Sequence, residues 1–199
     1  TDEFEVIERA KVRRIKLKID SEYGRPRELQ KYKPLEAYNF SRGDVLPLND
    51  PLFGEEPAKL GMWEPLEAVK KHRAGIYMLQ PYDPAKTPVL FVHGMVGYPQ
   101  QFGALIEGLD ESRFQPWVFL YPSGFNLTGI ARFAHMLMTE LESKRTPART
   151  CIVAHSMGGL VSRKFLDIHI EKTPNNSVRG LVTLASPLGG MPSAAMGVK

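Results

Sequence analysis

The sequence predicts an α/β protein with a mostly parallel sheet and helices on both faces. Three observations point there. Short apolar runs recur from Gly75 onward, amphipathic stretches of helical period lie between them, and a serine stands where one such run meets the next helix. Strands covered on both faces need no polar alternation, so a series of continuous apolar runs is the expected mark of a buried parallel sheet.

The elements follow in order. Residues 1–20 read as one or two strands; Ile15-Lys16-Leu17-Lys18-Ile19 alternates with period two, a half-buried strand with a lysine face toward solvent. Residues 21–74 hold six prolines and no strong periodicity, and read as irregular apart from a short helix at 65–72. The apolar runs are Ile76–Leu79, Val89–Val92, Trp117–Leu120, Cys151–Ala154 and Leu181–Ala185. Between them, 99–109, 128–144 and 157–171 read as helices; Ile130, Phe133, Ala134, Leu137, Met138 and Leu141 share one face of the second, and Leu160, Val161, Phe165 and Ile168 one face of the third. The domain reading is an N-terminal extension at 1–74 and a sheet domain at 75–199.

Composition narrows the classes of function. The chain has 199 residues, 43% hydrophobic and 24% charged, enough for one domain with a core. No apolar run reaches the roughly 20 residues that span a bilayer. The net charge of +4 is concentrated at 9–33, with ten Lys or Arg against three acids. A solvated strand face accounts for that patch; peripheral contact with an anionic membrane surface is its alternative use. Nucleic acid is not expected as a partner, since no aromatic interleaving or recognition motif accompanies the charge. Cys151 is the single cysteine; it cannot form an internal disulfide and is expected to be buried.

The chemistry centres on Ala154-His155-Ser156-Met157-Gly158-Gly159, which leaves an apolar strand and opens an amphipathic helix. A serine there sits on a sharp strand-to-helix turn that lifts its hydroxyl above the sheet, and small residues flanking it let strand and helix approach. The bland reading of Ser156 is a helix N-cap. A second signal speaks against that reading: Val89–Val92 runs into His93-Gly94-Met95-Val96-Gly97, the place of the loop that supplies an oxyanion donor in such a site. The expected donors are the N–H groups of Met95 and Met157.

Val-Leu-Phe-Val-His-Gly-Met at 89–95, Ala-His-Ser-Met-Gly-Gly-Leu at 154–160 and Leu-Val-Thr-Leu-Ala-Ser-Pro-Leu-Gly-Gly at 181–190 together resemble the first half of an α/β-hydrolase of the bacterial lipase and esterase kind. Ala154 stands where the usual motif has glycine. The resemblance implies a serine carboxyl-ester hydrolase with Ser156 as nucleophile, an acyl-enzyme intermediate, and no metal or cofactor. It gives His93, Gly94, Ala154, His155, Gly158 and Gly159 supporting roles, His93 as a brace of the loop rather than a base. Met95, Val96, Tyr98, Phe125, Met157 and Leu188 are expected to line an apolar acyl pocket suited to neutral lipid or small-molecule esters. Related bacterial hydrolases acting on lipid-linked substrates point to the cell envelope or periplasm.

The family order is serine, then acid, then histidine. After Ser156 come only Asp167, His169 and Glu171, all on the following helix and all expected on its solvated face. His169 lies about 20 Å along that helix, out of reach. The triad acid and histidine are therefore expected beyond residue 199, with the later strands of the sheet, and the 199 residues alone are expected to be inactive. An acyltransferase with the same nucleophile, a non-catalytic binding protein on this scaffold and a hydrolase of other bonds are the alternatives. Oligomeric state is not legible.

Overall fold

The computed structural model describes the backbone of residues 2–8 and 11–17 and all of residues 40–190. The chain divides into two compact units, 1–37 and 38–199. In the first, β1 (Asp2–Glu8) and β2 (Lys11–Leu17) pair antiparallel, with Glu3 opposite Lys16, Glu5 opposite Arg14 and Glu8 opposite Lys11. Lys18 and Ile19, read as a continuation of the strand, lie outside the described residues.

The second unit is a six-stranded sheet: β3 (Ser41–Val45), β4 (Gly75–Met78), β5 (Thr87–Val92), β6 (Phe114–Leu120), β7 (Thr150–His155) and β8 (Val178–Leu184). Their order across the sheet is β3-β4-β6-β5-β7-β8. The last four are mutually parallel; β4 runs antiparallel to β6, and β3 parallel to β4. All five apolar runs are strands, and β5, at the centre, is buried from Pro88 to Val92.

The helices are α1 (Glu55–Trp63), α2 (Pro65–Lys71), α3 (Gly103–Glu107), α4 (Leu127–Arg145) and α5 (Met157–Lys172). Helix α4 starts where the Asn126 side chain accepts the Gly129 N–H at 2.7 Å, and stops at Thr146, whose left-handed backbone (φ 47°) turns the chain away. Its apolar stripe and that of α5 cover one face of the sheet. Ile130, Ala134, Leu137, Met138, Leu141, Val161 and Phe165 pack there against Ile76, Met78, Leu90, Val92, Trp117, Phe119, Ile152 and Ala154. The other face is covered over β4, β5 and β6 by Phe53 and Phe102, each from a short 3-10 turn, with Ile106 of α3 beside them.

Several expectations are corrected here. Residues 40–74 are part of the sheet unit, not of an irregular extension: β3 is the edge strand beside β4, and α1 precedes the expected helix α2. The span 99–109 is a 3-10 turn followed by a five-residue helix, because Pro99 and two glycines (Gly103, Gly108) limit regular helix there. Cys151 is half-buried rather than buried. It lies on the sheet face away from α5, and at the β7–β8 end that face is only partly covered: Val153 is half-buried and Val182 is 55% exposed.

Candidate active site

The parallel strands β5, β6, β7 and β8 all end at one edge of the sheet, and the residues singled out in the sequence gather there. Ser156 joins β7 directly to α5 with φ 52° and ψ −125°. This is a conformation that costs a non-glycine residue of order 1–3 kcal/mol and persists only where surrounding structure enforces it. The enforcement is visible. Ser156 N–H donates to Leu184 O at the end of β8 (2.9 Å), and Gly159 N–H donates back to Ser156 O (3.0 Å). The Ser156 side chain makes no N-cap hydrogen bond to α5, so its hydroxyl is not spent on the helix start.

Two glycines permit the close approach. A Cβ on Gly158 would press into the carbonyl oxygens of Val92 and His93, so the first turn of α5 sits directly against the end of β5. A Cβ on Gly94 would lie 2.9 Å from Ser156 Cβ and 3.4 Å from its Oγ; the loop after β5 therefore rests against the serine. Ala154, in place of the usual glycine, is fully buried without disturbing the turn.

The loop itself is a tight turn, with Gly97 N–H donating to Gly94 O at 3.1 Å. His93 is 2% exposed. Its Nδ1 lies 2.9 Å from Gly94 O, and since a carbonyl only accepts, Nδ1 carries the proton. Burial pushes the His93 imidazole down to about 4, with the Gly94 hydrogen bond acting against it, so the ring is neutral at physiological pH. The ring stacks on Tyr121 (centroids 4.1 Å, planes 8° apart). The ring and the backbone carbonyl of His93 are thus both held by neighbouring groups, the ring by Gly94 and Tyr121 and the carbonyl by the Tyr121 hydroxyl.

The sequence reading missed Tyr121 and Ser123. Both follow β6 in Tyr121-Pro122-Ser123-Gly124, at the same end of the sheet. The Tyr121 hydroxyl donates to His93 O, and Ser123 Oγ accepts Val96 N–H at 3.1 Å. The only available signal was their place at the C-terminal end of a parallel strand next to β5. The N–H groups of Met95 and Met157 have no hydrogen-bond partner among the described residues; that of Met157 is one of the orphan donors at a helix start.

The proposed pocket residues are less uniform. Phe125 and Met157 pack partly into the core, and Val96 and Tyr98 are half-buried. Met95 and Leu188 are 54% and 57% exposed. An open groove of about 660 Å³ lies elsewhere, between α1 and α2, lined by Leu52, Leu60, Trp63 and His72 among others.

All five histidines lie in described residues, and none is hydrogen-bonded to Ser156 Oγ. His72 follows α2, and His155 precedes the serine with its side chain exposed. His169 is not on a solvated face as expected; it is fully buried. Its Nε2 lies 3.1 Å from Glu142 Oε2 and its Nδ1 2.9 Å from His135 Nδ1, so its ring is held between α5 and α4. Asp167 and Glu171 are exposed as expected. Among the described residues no group of three or more His, Cys, Asp or Glu is arranged to hold a metal ion.

This arrangement is the α/β-hydrolase fold. A family model described as a PGAP1-like alpha/beta domain matches residues 126–196, the stretch that carries Ser156. Among solved structures, the chain is similar to a lipase of Bacillus licheniformis in its mature form, at 20% identity and a TM-score of 0.51 over 61% of this chain and 51% of that one. The propeptide form of the same lipase matches at 20% identity and a TM-score of 0.51, over 62% of this chain and 28% of that one. The chain thus spans about half the length of the mature lipase it matches. No curated protein matches it by sequence.

Proposed function

We propose that the protein is a serine carboxyl-ester hydrolase. The observation that carries this reading is the strained backbone of Ser156 at the β7–α5 turn, with its hydroxyl free and Gly94 packed against it. In the proposed reaction Ser156 Oγ attacks the ester carbonyl, losing its proton to a histidine. The Met95 and Met157 N–H groups stabilise the oxyanion, the alcohol leaves with a proton, and water then releases the acid from the acyl-enzyme.

No histidine of these 199 residues is placed for the proton transfer, so the reading assigns base and acid to a segment outside them. The lipase whose fold this chain shares supports an ester as substrate. Met95, Val96, Tyr98, Phe125 and Leu188 are uncharged, which favours neutral acyl groups.

Replacing Ser156 by Ala in the whole protein is expected to lower turnover of a short p-nitrophenyl ester at least about 10³-fold, with circular dichroism unchanged. A mutant that keeps its rate would show that the nucleophile is another residue.

A further inference from the structure

We infer that Ser123, assisted by Tyr121, is a positioning residue that decides which N–H of the loop after β5 faces the oxyanion. The inference rests on the hydrolase reading above. The loop His93–Gly97 carries a run of backbone donors close to Ser156, and an oxyanion hole requires the right one to be held in place before the charge develops. Two hydrogen bonds from the loop after β6 bracket the turn. At its start the Tyr121 hydroxyl holds the His93 carbonyl, with the two rings stacked. At its other end Ser123 Oγ accepts the Val96 N–H. Between these anchors lie Gly94, which touches Ser156, and Met95, whose N–H has no partner.

Val96 has φ 53°, left-handed for a β-branched residue, which is costly without external support. The Ser123 hydrogen bond supplies that support and withdraws the Val96 N–H from the site. Ser123 is 6% exposed, and its own hydroxyl points at Met62 Sδ, 3.8 Å away at the end of α1. The α1 backbone is tied to the same loop, Gly124 N–H donating to Gly61 O at 3.0 Å. The loop after β6 is thereby anchored on its far side, and can hold the turn in register.

Neither residue touches substrate in this scheme, so loss of Ser123 moves a donor without removing a binding contact. In the whole protein, Ser123→Ala is expected to lower kcat for a p-nitrophenyl ester about 10- to 100-fold with KM changed less than about twofold. Inhibition by an alkyl boronic acid, which mimics the tetrahedral oxyanion, weakens by the same factor. Ser123→Thr, which keeps the acceptor oxygen, restores most of both. Tyr121→Phe keeps the stacked ring and deletes only the hydroxyl, and is expected to show the same split between kcat and KM; it carries the test if Ser123→Ala fails to fold.

Unchanged kcat and boronic-acid affinity in the folded variants would overturn the inference while Ser156→Ala remains inactive. Wild-type protein that neither hydrolyses the ester nor takes up a fluorophosphonate at Ser156 would overturn the hydrolase reading, and this inference with it.

Discussion

At the scale of single residues, the site is defined by backbone conformations that side chains ordinarily avoid. Ser156 (φ 52°), Val96 (φ 53°) and Ala185 (φ 49°) all lie at the C-terminal edge of the parallel strands. Strain concentrated at one end of a sheet has to be offset by packing elsewhere, here by the core beneath it. The consequence for Ser156 is measurable. Ser156→Ala and Ser156→Gly both delete the hydroxyl, but glycine accepts φ 52°, ψ −125° without a Cβ clash. The glycine variant is expected to be more stable than the alanine variant by about 1 kcal/mol in urea denaturation, despite glycine's greater freedom when unfolded. Equal stabilities, or a more stable alanine variant, would mean that the turn is not strained.

At the scale of elements, α4 and α5 are joined by a partly buried polar chain as well as by apolar packing. Glu142 is its hub. One carboxylate oxygen accepts from Ser177 N–H (2.7 Å) and Ser177 Oγ (2.6 Å), and the other from His169 Nε2 (3.1 Å). On its other side His169 Nδ1 lies 2.9 Å from His135 Nδ1, so the two rings share one hydrogen bond between α5 and α4. Ser177 Oγ reaches on to Thr150 Oγ1 at 2.8 Å, linking the helix pair to the start of β7. Burial pushes the Glu142 carboxyl up, yet the hydrogen bonds from His169 and Ser177 prevail and hold it below the usual carboxylate value. Glu142→Gln replaces one acceptor by an NH₂ that faces donors. It is expected to cost about 2–3 kcal/mol in urea denaturation while leaving the Ser156 turn in place. A loss under about 0.5 kcal/mol would show that the chain contributes little to holding α4 against α5.

At the scale of the whole molecule, titratable groups that are buried or half-buried make stability depend on pH. Burial lowers the His93 imidazole from 6.5 to about 4. It also lowers His135, helped by His169 and Lys172 nearby, and His72, helped by Lys71. Each binds its proton more weakly when folded, so the unfolded chain gains as pH falls below about 6.5. For His93 alone the shift corresponds to about 3 kcal/mol, fully present above pH 6.5 and lost progressively down to about pH 4. Glu142, held low, adds stability above about pH 4.5 that is lost on further acidification. The denaturation midpoint is therefore expected to fall steadily from pH 7 to pH 4.5, and a flat profile over that range would contradict the buried, neutral state of His93.

The sequence by itself determined the sheet's five apolar strands, the two long helices and the place of Ser156. Each of these depends on local pattern: continuous apolar runs, a 3.6-residue stripe, and a small-residue turn between them. Tertiary structure decided what depends on partners distant in the chain. Strand β3 was illegible because Ser41-Arg42-Gly43-Asp44 has no apolar run; it is a strand because β4 pairs with it and its Ser41 hydroxyl donates to Ile76 O. His169 read as a solvated helix residue because the sequence does not reveal that Glu142, 27 positions earlier, lies opposite it. Cys151 read as buried because its strand is apolar, whereas its exposure depends on which face of the sheet is covered. Ser123 and Tyr121 carried no motif, since their roles come from the adjacency of β6 and β5, and strand order is fixed by the packing of the whole sheet rather than by any stretch of it.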